Sequence, residues 1–171
     1  MVFQLTMHTR VLELRNGPTL IVRPLRHGDV GTVLAVFGRL GPESRRARFN
    51  GPKPCLSSTE LQQLAAVDSC HHALVGYAED DPQPIAIARL ARTGLGSAEI
   101  AFAVADSYQH RGIGSALAAE LLADARAAGI TQITALASSD NPAALALLRR
   151  TANVTDVRLE GPELSIRAAI A

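Results

Sequence analysis

This chain has few cysteines and few aromatic residues, and its acidic and basic residues nearly balance. Two cysteines among 171 residues, Cys55 and Cys70, are too few for a disulfide framework or a metal cluster. Tryptophan is absent and aromatic residues make up 4%, so the core is expected to consist of small aliphatic side chains. With 17 basic and 16 acidic residues, the net charge of +1 provides no long-range attraction for nucleic acid or an acidic membrane.

Targeting and membrane segments are also not evident. Residues 1–10 lack the apolar run of a secretory signal, and no window of about 18 apolar residues occurs. These absences predict a reduced, cytoplasmic protein with no nucleic-acid, membrane or metal partner. Hydrophobic residues nevertheless make up 47%, and the length is that of one domain. We predict a flexible arm at residues 1–10 and a single domain at residues 11–171.

Apolar runs separated by turn residues predict an α+β fold with a mixed, mostly antiparallel sheet. Strands are expected at residues 11–15, 19–23, 73–77, 85–90, 98–104, 130–138, 154–159 and 164–170. Helices are expected at residues 30–40, 57–67, 112–128 and 141–150. Asn16-Gly17 predicts a tight hairpin turn, and Ser57 with Glu60 predicts a capping box. The basic segment at residues 43–54 is expected to be irregular.

One polar loop leads from the end of a strand directly into a helix. It reads Gln109-His110-Arg111-Gly112-Ile113-Gly114. The first turn of a helix has unpaired N–H groups and the positive end of the helix dipole, and glycines let a phosphate approach the backbone. The loop therefore predicts a pyrophosphate site built from main-chain amides, with added charge from Arg111.

Two common nucleotide-binding motifs do not fit this loop. The chain contains no Walker string G-x-x-x-x-G-K-[ST]. The dinucleotide fingerprint G-x-G-x-x-G/A requires a small third residue, but Leu117 stands there. The loop also follows an antiparallel meander, whereas the dinucleotide motif opens a βαβ unit.

The loop Gln109-x-x-Gly112-x-Gly114 resembles the Q/R-x-x-G-x-G/A signature of the GNAT superfamily of acyl-CoA-dependent N-acyltransferases. Chain length and element order are similar from about residue 11 to the C-terminus. Leu40-Gly-Pro-Glu-Ser-Arg45 and Ala98-Glu-Ile-Ala-Phe-Ala-Val-Ala-Asp106 resemble the Pat-type protein lysine acetyltransferases in particular. The resemblance implies a GNAT fold, with a twisted sheet of about seven strands, about four helices, and two splayed strands that form the acyl-CoA slot.

The resemblance also implies acetyl-CoA as cosubstrate, an amine as acceptor, and a set of binding residues. The pantetheine arm is expected in the slot and the pyrophosphate on the amides of the signature loop. Asn141 matches a position that commonly touches the cofactor. The implied cofactor-binding residues are Phe102, Ala103, Val104, Gln109, His110, Arg111, Gly112, Ile113, Gly114, Ser115 and Asn141.

Acetyl transfer needs a base, because an amine is protonated at neutral pH. Glu99 matches the Pat-type catalytic glutamate and stands in an otherwise apolar run, so we expect it to be partly buried. It would act directly or through one water, while a main-chain N–H near Val104 would hold the oxyanion. Many relatives have a tyrosine after the short helix, but this chain has Arg150-Thr151-Ala152-Asn153, so a tyrosine acid is not available there. The alternative is that Glu99 is a solvent-facing residue that only pairs with an arginine.

Three functions stay open at this point: acetylation of a protein lysine, acetylation of a small amine, and an acyl-CoA-binding regulatory module without turnover. The basic residues Arg45, Arg46 and Arg48 are expected to form a solvated face, or to contact the 3′-phosphate of the cofactor or an acidic substrate. His72 and Tyr108 are expected to pack. The last hairpin could also pair across a homodimer.

Overall fold

The structure, a computed structural model, describes residues 8–170 as one eight-stranded sheet with five α-helices. The strands are β1 (Arg10–Leu12), β2 (Leu20–Pro24), β3 (His71–Ala78), β4 (Pro84–Gly94), β5 (Ser97–Val104), β6 (Gln132–Ser138), β7 (Asn153–Glu160) and β8 (Glu163–Ala169). The helices are α1 (Val30–Gly38), α2 (Pro42–Phe49), α3 (Ser58–Leu64), α4 (Ile113–Ala127) and α5 (Pro142–Thr151). The predicted α+β fold is confirmed, with eight strands and five helices where about seven and about four were expected. The predicted arm lies mostly outside the described residues.

The sheet opens at its centre. Its strand order is β1-β2-β3-β4-β5-β6-β8-β7, and every neighbouring pair is antiparallel except β5 and β6. These two parallel strands pair only between residues 97–99 and 132–134. Beyond that short contact, residues 100–104 remain paired with β4 and residues 135–138 with β8. Within the described chain the two strands therefore diverge and leave facing main-chain edges unpaired.

The two faces of the sheet carry two separate layers of helices. Ile100 of β5 packs with Leu117 and Leu121 of α4 in the larger hydrophobic cluster. Ala103, on the opposite face of β5, packs with Val36 of α1 in the smaller cluster. Successive side chains of a strand point to opposite faces, so one strand serves both layers. The opening between β5 and β6 is thus bordered by helices on both sides.

The first hairpin forms, but without the tight turn predicted from Asn16-Gly17. Pairing of β1 and β2 stops at Leu12 opposite Leu20, so seven residues connect the strands. Pro18 is one reason, because it has no N–H to donate to a continued ladder. The longer loop reaches the signature loop. A Cβ on Gly17 would lie 2.4 Å from the carbonyl oxygen of Arg111.

The segment predicted to be irregular at residues 43–54 contains helix α2, and that prediction is wrong. The helix has no fully buried residue and therefore no apolar periodicity to detect. The sequence features that indicate this helix lie at its two ends. Pro42 stands in the first turn, Glu43 is acidic near the N-terminus, Arg46 and Arg48 are basic in the last turn, and Asn50 ends the helix in the left-handed conformation at φ 53°.

A cluster of charged side chains ties the edge of the sheet to α4. Arg10 pairs with Glu120 at 2.8 Å and with Asp124 at 2.5 Å. His72, which is 1% exposed, contacts Asp124 through Nε2 at 2.9 Å. We refer to Arg10, His72, Glu120 and Asp124 as the α4 ion cluster. The predicted packing of His72 is confirmed, and its partner is a half-buried carboxylate.

Among residues 8–170, no helix is long and apolar enough to cross a membrane. The same residues contain no group of three or more His, Cys, Asp or Glu side chains that could hold a metal ion. Cys55 and Cys70 are both exposed free thiols.

Candidate functional site

The signature loop brings the uncapped N-terminus of α4 to the mouth of the opening between β5 and β6. Gly112 is the N-cap residue, in the left-handed conformation at φ 81°, and no side chain of the described residues caps this helix. The first main-chain bond of the helix runs from the N–H of Ala116 to the carbonyl of Gly112 at 3.0 Å. The N–H groups of residues 113–115 precede that bond and stay available for an anion.

Of the other four α-helices in the described residues, three have an N-terminus that is closed by the side chain of its cap residue, whereas α2 has Gly41 as its N-cap residue and no side-chain cap. Asp29 accepts from the N–H of Thr32 in α1, and Ser57 forms the predicted capping box with Glu60 in α3. Asn141 caps α5 by accepting from the N–H of Ala144 at 3.3 Å. The side chain predicted to touch the cofactor is therefore already engaged through its oxygen. The open α4 terminus contrasts with these three closed ones.

Gln109 and Asp106 fasten the loop to the end of β5 and to the start of α2. Gln109 Nε2 donates to the carbonyl of Val104 at 3.1 Å and to Ser44 Oγ at 3.0 Å. Asp106 Oδ2 accepts from the N–H of Gly41 at 3.1 Å. The signature glutamine thus positions the turn through its side chain, which is a different use from the main-chain contact predicted for it.

Tyr108 packs between two arginines at the base of the same loop. The guanidinium carbons of Arg39 and Arg111 lie 5.4 and 5.3 Å from its ring centre. Its hydroxyl donates to Asp81 Oδ2 at 3.0 Å. Burial and then this hydrogen bond raise the pKa of Tyr108, so the phenol stays protonated. The predicted packing of Tyr108 is confirmed, and Arg111 is held beside the loop by the ring.

The two signature glycines meet different surroundings. A Cβ at Gly112 would meet no atom of the described residues within 4 Å, so this position is restricted by its positive φ and not by its neighbours. A Cβ at Gly114 would lie 3.3 Å from Leu147 and 3.7 Å from Val104. Gly114 therefore allows α4 to pack closely against α5 and β5, whereas the sequence had suggested that both glycines serve phosphate approach.

The remaining predicted residues of the loop differ in which of their groups are accessible to a ligand. His110 is exposed, with an unusual positive φ of 61°. Ile113 is 1% exposed and its side chain belongs to the core, so only its main chain is available to a ligand. Ser115 is half-buried in the first turn of α4. The structure thus brings the predicted loop residues together at one helix terminus.

Glu99 lies on the opposite face of β5 from the core residue Ile100, and it is exposed. The expectation that it is partly buried is wrong. It borders a cavity of about 330 Å³ between β4, β5, α2 and α3. The lining residues are Arg48, Phe49, Glu60, Gln63, Leu64, Arg89, Ala91, Glu99, Ile100 and Ala101. Because β5 also borders the opening toward β6, this cavity and that opening share one strand.

Two arginines dominate the electrostatics of this cavity. Burial, followed by repulsion from Arg89, lowers the pKa of Arg48 to about 10, and the nearby Glu99 carboxylate partly opposes the shift. Burial also lowers the pKa of Arg89, and the charge of Asp68 partly opposes that shift. Arg89, which lines this cavity, was not singled out from the sequence. The available signal was a charged side chain in the middle of the apolar run at residues 85–90.

Comparison with known proteins gives a consistent result. A model of the Acetyltransferase (GNAT) family matches residues 42–152. Acetyltransferase Pat of Mycolicibacterium smegmatis is 32% identical over 142 residues, which cover 81% of this chain and 42% of that protein. Acetyltransferase PA5475 of Pseudomonas aeruginosa is 30% identical over 137 residues, which cover 78% of this chain and 74% of that protein.

A solved structure agrees with these sequence relatives. The GNAT domain of S. lividans PAT superposes with a TM-score of 0.84 at 26% identity, covering 94% of this chain and 96% of that one. The chain thus spans less than half of the Pat relative but nearly all of the isolated GNAT domain. Together with the splayed strands and the open helix terminus, the family match shows that this chain belongs to the GNAT family of acetyltransferases.

Proposed function

We propose that residues 11–171 form a single domain that transfers an acetyl group from acetyl-CoA to a primary amine, with a protein lysine as acceptor. The observation that carries the proposal is the opening between β5 and β6, with the uncapped N-terminus of α4 at its mouth. The unpaired edges at residues 100–104 and 135–138 suit an extended arm that bonds as an added strand does. The first-turn amides of α4 suit a pyrophosphate.

The cosubstrate would be held by the residues that the sequence pointed to. Phe102, Ala103 and Val104 would border the pantetheine arm in the opening. The amides of residues 112–115 would receive the phosphates, and Arg111 would add charge from its place beside Tyr108. Asn141 would shape the far side of the opening by starting α5 there.

Acetyl-CoA supplies the thioester, and the chain supplies a base and an oxyanion donor. Glu99 would take the proton of the attacking amine, directly or through one water, as the new N–C bond forms. A main-chain N–H near Val104 would stabilise the charge that develops on the carbonyl oxygen. The C–S bond then breaks and the CoA thiolate leaves. The exposed position of Glu99 at the cavity suits this task, because an incoming amine can reach it.

The proposal is tested by two measurements on the intact chain. Calorimetric titration with acetyl-CoA should show a one-to-one complex. Mass spectrometry should then detect acetylation of lysine peptides, with polyamines, amino acids and aminoglycosides as comparison acceptors. Binding without transfer to any of these amines would favour a regulatory module, and the absence of binding would end the proposal.

Substitution of Gly112 by alanine is expected to weaken acetyl-CoA binding about tenfold. A Cβ disfavours the left-handed conformation by about 1–2 kcal/mol, so the loop would turn the first amides of α4 away from the phosphates. The measurement is the Kd from calorimetry, together with the melting temperature.

Gly161→Ala is the matched control for this experiment. Gly161 has φ 63° and nothing within 4 Å of an added Cβ, but it lies in the turn between β7 and β8. Both variants should lose similar stability, and only Gly112→Ala should lose affinity. Equal affinity in the two variants would show that the α4 terminus does not hold the phosphates.

A further inference from the structure

The cavity around Glu99 holds more positive charge than its own carboxylates can balance. Two acids line it, Glu60 and Glu99. Glu60 accepts from Lys53, from the N–H of Ser57 at 2.8 Å and from the Ser57 hydroxyl at 3.0 Å. These hydrogen bonds, that of Lys53 first, lower its pKa to about 2. Glu60 is therefore committed elsewhere, and among the acids that line the cavity only Glu99 is left to balance the two arginines.

Neither arginine of the cavity is in direct contact with a carboxylate of the described residues. Within residues 8–170, Arg48 and Arg89 form no ion pair with any acid. Arg89 Nη2 donates to the carbonyl of Gln63 at 3.2 Å, while Arg89 Nη1 is shielded from solvent and has no hydrogen-bond partner among residues 8–170. The charges of Glu99 on Arg48 and of Asp68 on Arg89 act only from beyond ion-pair distance. A guanidinium taken from water without a carboxylate in direct contact raises the free energy of the folded state. An incoming anion would remove that penalty.

The strand register places these charges at a useful spacing from Glu99. Arg89 stands opposite Ala101, and Glu99 stands opposite Ala91, all on one face of the sheet. Arg89 and Glu99 are thus diagonal neighbours, a relation that separates residues by about 7–8 Å. The methyl groups of Ala91 and Ala101 leave the space between the two charges open. If the amine of an acceptor lysine lies beside Glu99, a residue one or two positions away in the same peptide can reach the Arg89 guanidinium.

A carboxylate suits these two guanidinium groups, and it is the anion that a peptide or amino-acid acceptor itself carries. Their planar, forked donors match a carboxylate, and they remain charged when half-buried. Building on the proposed function, we propose that Arg48 and Arg89 form a carboxylate subsite beside Glu99, which selects an acceptor lysine with an acidic residue within two positions. Phe49 and Leu64 in the same lining would pack against the aliphatic stem of the acceptor lysine.

The same carboxylate chemistry could come from a small molecule, so the test separates the two sources. One pair of acceptors consists of two peptides that differ only in glutamate or glutamine next to a central lysine. The second pair consists of free lysine and lysinamide, which differ in the α-carboxylate. Steady-state kcat/KM is measured for all four with acetyl-CoA. We expect the glutamate peptide to exceed the glutamine peptide by about 10–100-fold, the range of a charge-assisted hydrogen bond.

Three variants connect this preference to the arginines. Arg89→Met and Arg48→Met each retain most of the aliphatic stem. Each should reduce the ratio of kcat/KM for the glutamate peptide over that for the glutamine peptide to a value between about 1 and 3. Arg89→Lys should restore part of the ratio, because it returns the charge without the fork. Arg158→Met is the control, since Arg158 lies on β7, pairs with Asp156 and should leave the ratio unchanged. Melting temperatures and acetyl-CoA affinities of all variants verify that each is folded.

Each result leads to a separate conclusion. A ratio near one in the wild-type chain, with both peptides turned over, would overturn the carboxylate subsite and leave the acetyltransferase proposal intact. A high ratio that survives Arg48→Met and Arg89→Met would also overturn it. A preference seen only for free lysine over lysinamide would identify the anion as the α-carboxylate of a small acceptor and would overturn the assignment to a protein. Failure to acetylate any of the four acceptors would remove the proposed function together with the subsite.

Discussion

Replacement of Glu99 by glutamine is expected to lower kcat for lysine peptides by a factor of about 10²–10⁴, the usual contribution of a positioned general base. Glutamine keeps the size of the side chain but cannot accept the proton of the amine. Because Glu99 borders the cavity between β4, β5, α2 and α3, whereas the open α4 terminus belongs to the signature loop, the affinity for acetyl-CoA should remain close to that of the unchanged chain. The measurement is single-turnover acetylation at saturating acetyl-CoA, with calorimetry for binding.

A matched surface variant controls for general effects of removing a carboxylate. Glu160 is also an exposed strand glutamate, but it lies at the end of β7. Glu160→Gln should retain the kcat of the unchanged chain. If Glu99→Gln and Glu160→Gln show the same turnover, Glu99 is not the base. If Glu99→Gln loses both turnover and acetyl-CoA binding, its effect is structural and the catalytic assignment also fails.

Replacement of Asp124 by asparagine is expected to reduce the free energy of unfolding by about 3 kcal/mol and the melting temperature by about 6–12 °C. Asp124 is 13% exposed and stands at the centre of the α4 ion cluster, between Arg10 and His72. The substitution removes the negative charge that the Arg10 guanidinium and the buried His72 ring both contact. Asp156→Asn on the surface of β7 is the control, and its effect should stay within about 0.5 kcal/mol.

The stabilisation from Asp124 should also depend on pH in a definite direction. Burial alone would raise the pKa of Asp124, but hydrogen bonds from His72 and Arg10 prevail and lower it below the value of 3.8 for a free aspartate. A carboxyl with a lower pKa in the folded state stabilises the fold above its unfolded pKa and loses that contribution as the pH falls through the folded value. Urea unfolding at pH 7 and pH 3 measures this. The unchanged chain should lose stability between these values, and Asp124→Asn should lose less. Equal losses would show that Asp124 does not link folding to pH.

The sequence predicted the elements of this fold where apolar periodicity was strong. The strands around the signature loop and the long helix α4 fall near their predicted bounds, because their buried faces repeat at regular spacing. Helix α2 has no fully buried side chain, so periodicity could not reveal it. Its identification required the signals at its ends, and these are weaker than a buried stripe.

The candidate site was predictable only for its local part. The loop at residues 109–115 forms one continuous segment, and the physics of a helix N-terminus is local. The cavity beside Glu99 combines β4, β5, α2 and α3, which the sequence could not place together. The exposure of Glu99 depends on the same tertiary arrangement, because the small Ala101 next to it on the strand face leaves a hollow where burial was expected. The cytoplasmic location and a homodimer stay predictions.

The short contact between β5 and β6 divides the sheet into a five-stranded part, β1 to β5, and a three-stranded part, β6 to β8. Three residue pairs form the seam, and helix α2, which contacts both β5 and β6, packs across it. A ligand arm lying along the seam would complete the ladder that the protein leaves unfinished. Cosubstrate loading would then stiffen the whole domain, and product departure would soften it again in every catalytic cycle.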